Sequence, residues 1–250
     1  MKNLIIISDG HGEYTKGKRS HVFPDGYVLK ENEFNRVVVD IIKDHLSKYD
    51  CEILHVSDGN DDISLKVRTD TANKRYKELC AEVGKENVNA IYVSIHANHD
   101  GGKTWSSANG IEVFKYPKSD GSYHQLALDK LIKSTKLRNR GVKEADFHEL
   151  RETAMKSCLF ELGFMSNLNE AELLRSDEYR KLCADVITES LVEDMKLEKK
   201  QAIPNTDETQ KEVYWRVVVA SNKDIEESRK LVQKLQHEGY KDAFIAKYEK

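Results

Sequence analysis

The sequence predicts an α/β domain, a mostly parallel sheet flanked by helices, with a small α+β appendage at the carboxyl end. Short continuous apolar runs at residues 3–8 (NLIIIS), 90–95 (AIYVSI) and 157–162 (SCLFEL) are the pattern of strands covered on both faces. Between them lie stretches of helical apolar spacing, and a parallel sheet with crossover helices requires that alternation. The periodicity stops near residue 200. There the segment EKKQAIPNTDETQKE carries a Pro and no apolar pattern. The main domain is therefore expected over residues 1–197, a linker over 198–211 and a short segment over 212–250.

In chain order, the strand over 3–8 ends abruptly in Asp9-Gly10-His11-Gly12, and Pro24 and Gly26 punctuate the loop that follows. Phe34, Val37, Val38, Ile41, Ile42 and Leu46 recur at helical spacing over 32–49. Residues 51–56 read as a second strand, and Ser64 caps a helix reaching about residue 83. Residues 90–95 form the third strand and 110–114 the fourth; a helix follows over 125–137, then the strand over 157–162 and an amphipathic helix over 178–197. The last segment reads strand (213–220), helix (224–237, closed by Gly239) and strand (242–246), too short to build a large core of its own.

Composition narrows the function. Forty Lys plus Arg against 43 Asp plus Glu leave a net charge of -3, too balanced for nucleic acid to be the main partner. Mean hydropathy is -0.66. No apolar run approaches the ~18 residues of a membrane span, so no membrane insertion is expected. The apolar stretch 4–7 is shorter than a signal peptide's core and no A-x-A site follows, so the chain is expected to stay cytoplasmic until released. Cys51, Cys80, Cys158 and Cys183 form no C-x-x-C pair and read as reduced thiols.

Loops at the carboxyl edge of a parallel sheet converge on one crevice. His11, His96 and Glu161 stand at or near such strand ends, and Glu31 precedes a helix that opens into the same crevice. Two imidazoles and a carboxylate are a common catalytic zinc set that leaves a fourth position for water, with the remaining carboxylate free to act as a base. Glu33 competes with Glu31 for the ligand position.

The neighbourhoods of these residues resemble, in order, the motifs of the amidase-3 type of zinc-dependent N-acetylmuramoyl-L-alanine amidases. The matching pieces are DGHG (9–12), LKENEFN (29–35), SLKVRTDTAN (64–73), SIHAN (94–98), NGIEVF (109–114) and ELGFMSNLNEAELL (161–174). The resemblance implies that His11, Glu31 and His96 bind Zn2+ and that Glu161 is the catalytic acid/base. Glu31 is preferred because LKENEFN follows the family's L-K-E-x-x-x-N pattern, which leaves Glu33 as a helix N-terminal acid favoured by the macrodipole. Glu13 stands where the family has a second Gly after His-Gly, a departure that bears on the loop's shape and not on its ligand.

The implied reaction is hydrolysis of the amide between N-acetylmuramic acid and L-alanine in peptidoglycan. Arg151, in ELRET, is a candidate to bind a stem-peptide carboxylate. Rival functions are a zinc peptidase cutting within the stem peptide and a non-catalytic wall-binding protein. GEYTKGK (12–18) meets part of a P-loop pattern, but Arg19 stands where Ser or Thr must hold magnesium, and Pro24 and Gly26 keep the stretch in loop. His21, His45, His55, His99, His124, His148 and His237 lack matched partners, His99 being the nearest to a stray ligand. The last segment resembles the first part of a SPOR-type wall-binding repeat; such a half-module can pair with a second copy, giving a dimer, and Tyr214 or Trp215 could stack on sugar rings. A phage endolysin and a sporulation or autolytic enzyme both fit.

Overall fold

A computed structural model of the chain describes residues 1–59, 61–200 and 225–237. The chain divides into two units, Met1–Gln201 and Ala202–Lys250. The first is built from β1 (Lys2–Ser8), α1 (Glu31–Leu46), β2 (Glu52–His55), α2 (Leu65–Val83), β3 (Val88–Asn98), β4 (Ile111–Lys115), α3 (Ser122–Thr135), β5 (Asn139–Glu144), α4 (His148–Arg151), β6 (Lys156–Phe164), α5 (Leu168–Leu174) and α6 (Asp177–Met195). In the second, α7 (Ile225–His237) coincides with the stretch expected to be helical. The strands expected over 213–220 and 242–246, with Tyr214 and Trp215, lie outside the described residues, as does most of the expected linker.

The six strands form one sheet in the order β2-β1-β3-β6-β4-β5. All neighbours run parallel except β4, which is antiparallel to β6. Alternation of side chains across the pleat divides the core in two. Ile5, Ile7, Ile91, Val93 and Ile95 face one way, into the cluster that holds Phe34, Val38 and Ile42 of α1, Leu128 of α3 and Ile187 of α6. Leu4, Ile6 and Tyr92 face the other way, beneath Ala72 and Leu79 of α2. Leu4 to Ile7 are fully buried, which is why β1 reads as an unbroken apolar run. Ser64 caps α2 by accepting from the Val67 amide, an interaction of about 1 kcal/mol.

The structure departs from the sequence reading at three places. The fourth strand lies at 111–115 and runs against its neighbour, and β5 joins its far side as an edge strand that apolar pattern does not reveal. Its sequence, NRGVKE, has Val142 as its single aliphatic residue, and none of its residues is fully buried. The main unit also continues past residue 197: the Asp50 amide donates to the Glu198 carbonyl at 2.8 Å and the Lys200 amide to the Lys48 carbonyl at 2.9 Å. Among the described residues, no helix is long and apolar enough to cross a membrane.

Candidate metal centre

The loop after β1 is pinned before it reaches His11. Asp9 is fully buried, accepting from Arg36 Nε at 2.9 Å and from the Ser57 hydroxyl, while its own amide donates to Ser57 Oγ at 2.9 Å. Gly10 then turns at φ +64°, where an added Cβ would collide with the Asn35 amide and meet His96 Cε1 at 3.0 Å. Only glycine combines that backbone with that close approach. The next carbonyl, that of His11, accepts from the Asn32 side chain, tying the loop to α1.

Glu31 opens α1 with its carboxylate turned inward, 3% exposed. His96 Nδ1 lies 3.0 Å from Glu31 Oε1, and His11 Nε2 lies 3.6 Å from Glu31 Oε2. The two imidazole rings meet edge to face, centroids 5.3 Å apart. Among the described residues, these three form the one cluster whose ligand atoms, one from each, all lie within 4.8 Å of one another. Ligands held ~2.1 Å from a tetrahedral zinc stand ~3.4 Å apart, so the spacing and the N, N, O donor set fit that metal.

Glu161 completes the group. In the sheet register it lies beside His96 on β3 and beside Glu112 on β4. Glu112 is ion-paired, accepting from Arg140 Nε at 2.6 Å, from Asn98 Nδ2 at 2.7 Å and from Lys143. Glu161 Oε2, by contrast, is buried with no hydrogen-bond partner.

Burial dominates the electrostatics. It pushes the His11 pKa down to about 4, against the attraction of Glu31, so His11 offers a neutral nitrogen. On His96 burial again opposes charge, but Glu149 and Glu31 outweigh it and push the pKa up to about 10. The Glu161 carboxyl is pushed up to about 8 by burial, with His96 opposing and Glu31 reinforcing. A metal-free site of this kind carries protons that a cation must displace.

Of the residues singled out in the sequence, His11, Glu31, His96 and Glu161 thus converge. Glu33 does not: its carboxylate pairs with Arg180 Nη2 at 2.7 Å and with the Tyr27 hydroxyl. Arg151 also stands apart, on the surface of α4, shared by Asp146 at 2.9 Å and Glu152 at 2.7 Å. His99 and His21 stack edge to face at 5.2 Å beside Trp105 and do not join the cluster. No helix begins between β1 and Glu31, so the GEYTKGK stretch lacks the helix start of a P-loop.

The residue that sequence reasoning passed over is Glu149, buried behind His96 and gathering Ser8, Tyr92, Ser94 and Arg68 around it. One signal was available. Tyr92, Ser94 and His96 alternate along an otherwise apolar strand, which aims three polar side chains at one face.

An α/β domain with a His–Glu–His donor set beside a glutamate that has one buried oxygen without a partner has the make-up of a hydrolase with a candidate metal site. The chain belongs to the N-acetylmuramoyl-L-alanine amidase family: the Amidase_3 profile, described as N-acetylmuramoyl-L-alanine amidase, matches residues 5–193. It is 30% identical over 211 residues to the endolysin of Bacillus phage SPP1, covering 80% of this chain and 69% of that one. It is 29% identical over 180 residues to the N-acetylmuramoyl-L-alanine amidase CwlM of Bacillus licheniformis, covering 70% of this chain and 62% of that one. The crystal structure of N-acetylmuramoyl-L-alanine amidase from Clostridium difficile 630 is similar, with a TM-score of 0.66 at 26% identity over 78% of this chain and 97% of that one. The family resemblance read from the motifs and the predicted fold class both hold.

Proposed function

We propose that this chain is a peptidoglycan hydrolase that cleaves the amide between N-acetylmuramic acid and L-alanine, using one zinc ion held by His11, Glu31 and His96, with Glu161 as acid/base. The observation that carries the proposal is the compact His–Glu–His cluster next to a buried carboxylate oxygen without a partner. When bound, zinc would polarise the scissile carbonyl and acidify a water, towards a pKa of about 7 in zinc hydrolases.

The chain's own residues supply the rest. Glu161, raised towards neutrality, takes a water's proton on Oε2 and passes it to the leaving nitrogen of L-alanine. Glu112, held by Arg140, Lys143 and Asn98, keeps its charge and disfavours a second one on Glu161, so the acid form stays accessible for donation. His11 presents a neutral ring, and Glu31 fixes the distance between the two imidazoles. For Arg151 to grip a stem-peptide carboxylate, the substrate must displace Asp146 and Glu152 from its guanidinium. Residues 212–250 would serve as a wall-targeting segment, able to self-associate, and the enzyme acts at the cell wall.

The test is product analysis. Purified peptidoglycan digested by the chain should gain new L-alanine amino termini and release glycan free of stem peptides. New termini at any other stem-peptide residue would indicate a peptidase, and digestion without new termini would end the proposal.

A further inference from the structure

We propose that Glu149 is a positioning residue that holds the Nε2 proton of His96 in place, so that Nδ1 is the nitrogen that gives up its proton to a metal. This rests on the zinc-site proposal above. The arrangement on the far side of the imidazole carries it. Ser94 Oγ lies 3.0 Å from His96 Nε2 and 3.1 Å from Glu149 Oε2, while Glu149 Oε2 itself stands 3.8 Å from the ring nitrogen.

A serine hydroxyl has one proton to give. An ionised carboxylate only accepts, so Ser94 donates to Glu149 and turns its lone pairs towards His96. The ring must then donate from Nε2, so the proton that a metal displaces is the one on Nδ1, which faces Glu31 Oε1 at 3.0 Å. Were Ser94 to donate to Nε2 instead, the proton would sit on Nδ1, and the ring could not ligate from that edge.

Glu149 is built to hold its role. It is 3% exposed although it sits on the four-residue helix α4. Its Oε1 accepts from Ser8 Oγ at 3.0 Å and from the Tyr92 hydroxyl, with Arg68 Nη1 at 3.9 Å. Arg68 is itself buried and donates to Ser8 Oγ at 2.9 Å. A buried carboxylate is costly unless it is paired and hydrogen-bonded in this way. The donors around Oε1 also define the informative substitution. In Glu149→Gln the amide oxygen is claimed by Tyr92 and Ser8, so the NH2 group faces Ser94 and obliges that hydroxyl to donate to His96.

The experiment measures zinc affinity by chelator competition for wild type, Glu149→Gln and Glu149→Gln/Ser94→Ala, with thermal unfolding of each metal-free protein recorded alongside. Outer-shell partners of metal ligands are worth about 10- to 100-fold in affinity, and that loss is expected for Glu149→Gln. Deleting the misdirected hydroxyl in the double variant should recover part of it, a rescue that general loosening of the fold would not produce. Affinity within about threefold of wild type in Glu149→Gln, or no rescue, overturns the role of Glu149 while leaving the zinc site standing. A wild type that binds no zinc overturns both. Long-range 1H–15N spectra of zinc-loaded wild type need no variant to fold: His96 should be protonated on Nε2, and a proton on Nδ1 overturns the inference.

Discussion

Replacing Glu161 by Gln keeps the side chain's size and removes its charge, which exposes how much that buried charge costs. Burial, opposed by His96 and reinforced by Glu31, raises the Glu161 pKa from 4.5 to about 8 in the metal-free protein. A carboxyl raised on folding contributes stability that is complete below 4.5 and is lost as pH climbs through about 8. At about 1.4 kcal/mol per pKa unit the shift has a ceiling of about 5 kcal/mol. Protein sites respond with an effective dielectric nearer 20 than 4, so about 2–3 kcal/mol is the part we expect to be realised. At about 2–4 °C per kcal/mol for a chain of this size, metal-free wild type should lose about 5–10 °C in Tm relative to Glu161→Gln between about pH 5 and pH 9. Other carboxylates are common to both proteins, and the unpaired Gln amide adds an offset that does not vary with pH. The assay is calorimetry in chelator across that range, repeated in excess zinc, where a neighbouring dication favours the charged carboxylate and the gap should close. A gap independent of pH, or a wild type that gains on the variant as pH rises, would refute the reasoning.

Zinc-loaded Glu161→Gln should keep its metal while turnover falls by on the order of a hundredfold or more, measured as release of L-alanine amino termini; loss of zinc would make Glu161 a ligand. His96→Ala leaves two ligands and should weaken zinc binding by on the order of a hundredfold or more in chelator competition. One tightly held zinc per chain in that variant would remove His96 from the set. Arg151→Ala should lower kcat/KM less than about fivefold, because exposed ion pairs of the kind it makes are worth under about 1 kcal/mol. A tenfold rise in KM would instead assign it to a substrate carboxylate. Truncation after Lys200 keeps the hydrogen bond to Lys48 and should leave a folded protein with full rate on soluble muropeptides but weaker sedimentation with purified walls, because tethering raises local concentration. Undiminished sedimentation would end the targeting role.

The parts of the fold legible in the sequence are those where burial is complete. Leu4 to Ile7 announce β1 because both faces are covered, and α1 announces itself because Phe34, Val38, Ile42 and Leu46 share one buried stripe. Direction was not legible: apolar periodicity is the same for a strand running either way, so nothing in Ile111 to Phe114 declares that β4 opposes β6. Nor was β5, whose partly exposed NRGVKE earns its place by backbone pairing with β4 and not by its side chains. At the site, His11, His96 and Glu161 were legible because strand ends and recognisable neighbourhoods mark them. Glu31 was separated from Glu33, two residues on, by the L-K-E-x-x-x-N pattern alone; both are acids in the first turn of one helix, and only Glu31 turns inward. Glu149 lay hidden in a helix of one turn, too short to show a period, and its function depends on Ser94 and Tyr92 from a strand more than fifty residues earlier in the chain.

The central claim is that three side chains hold one zinc ion with Glu161 alongside but outside the ligand set. Diffraction from crystals of the zinc-loaded protein, collected on both sides of the zinc absorption edge, tests it directly. The account predicts a single strong anomalous peak bonded to His11, Glu31 and His96, with Glu161 within hydrogen-bond reach of the remaining coordination position. A peak that includes Glu161 among its protein ligands, or that lies away from these histidines, would contradict it.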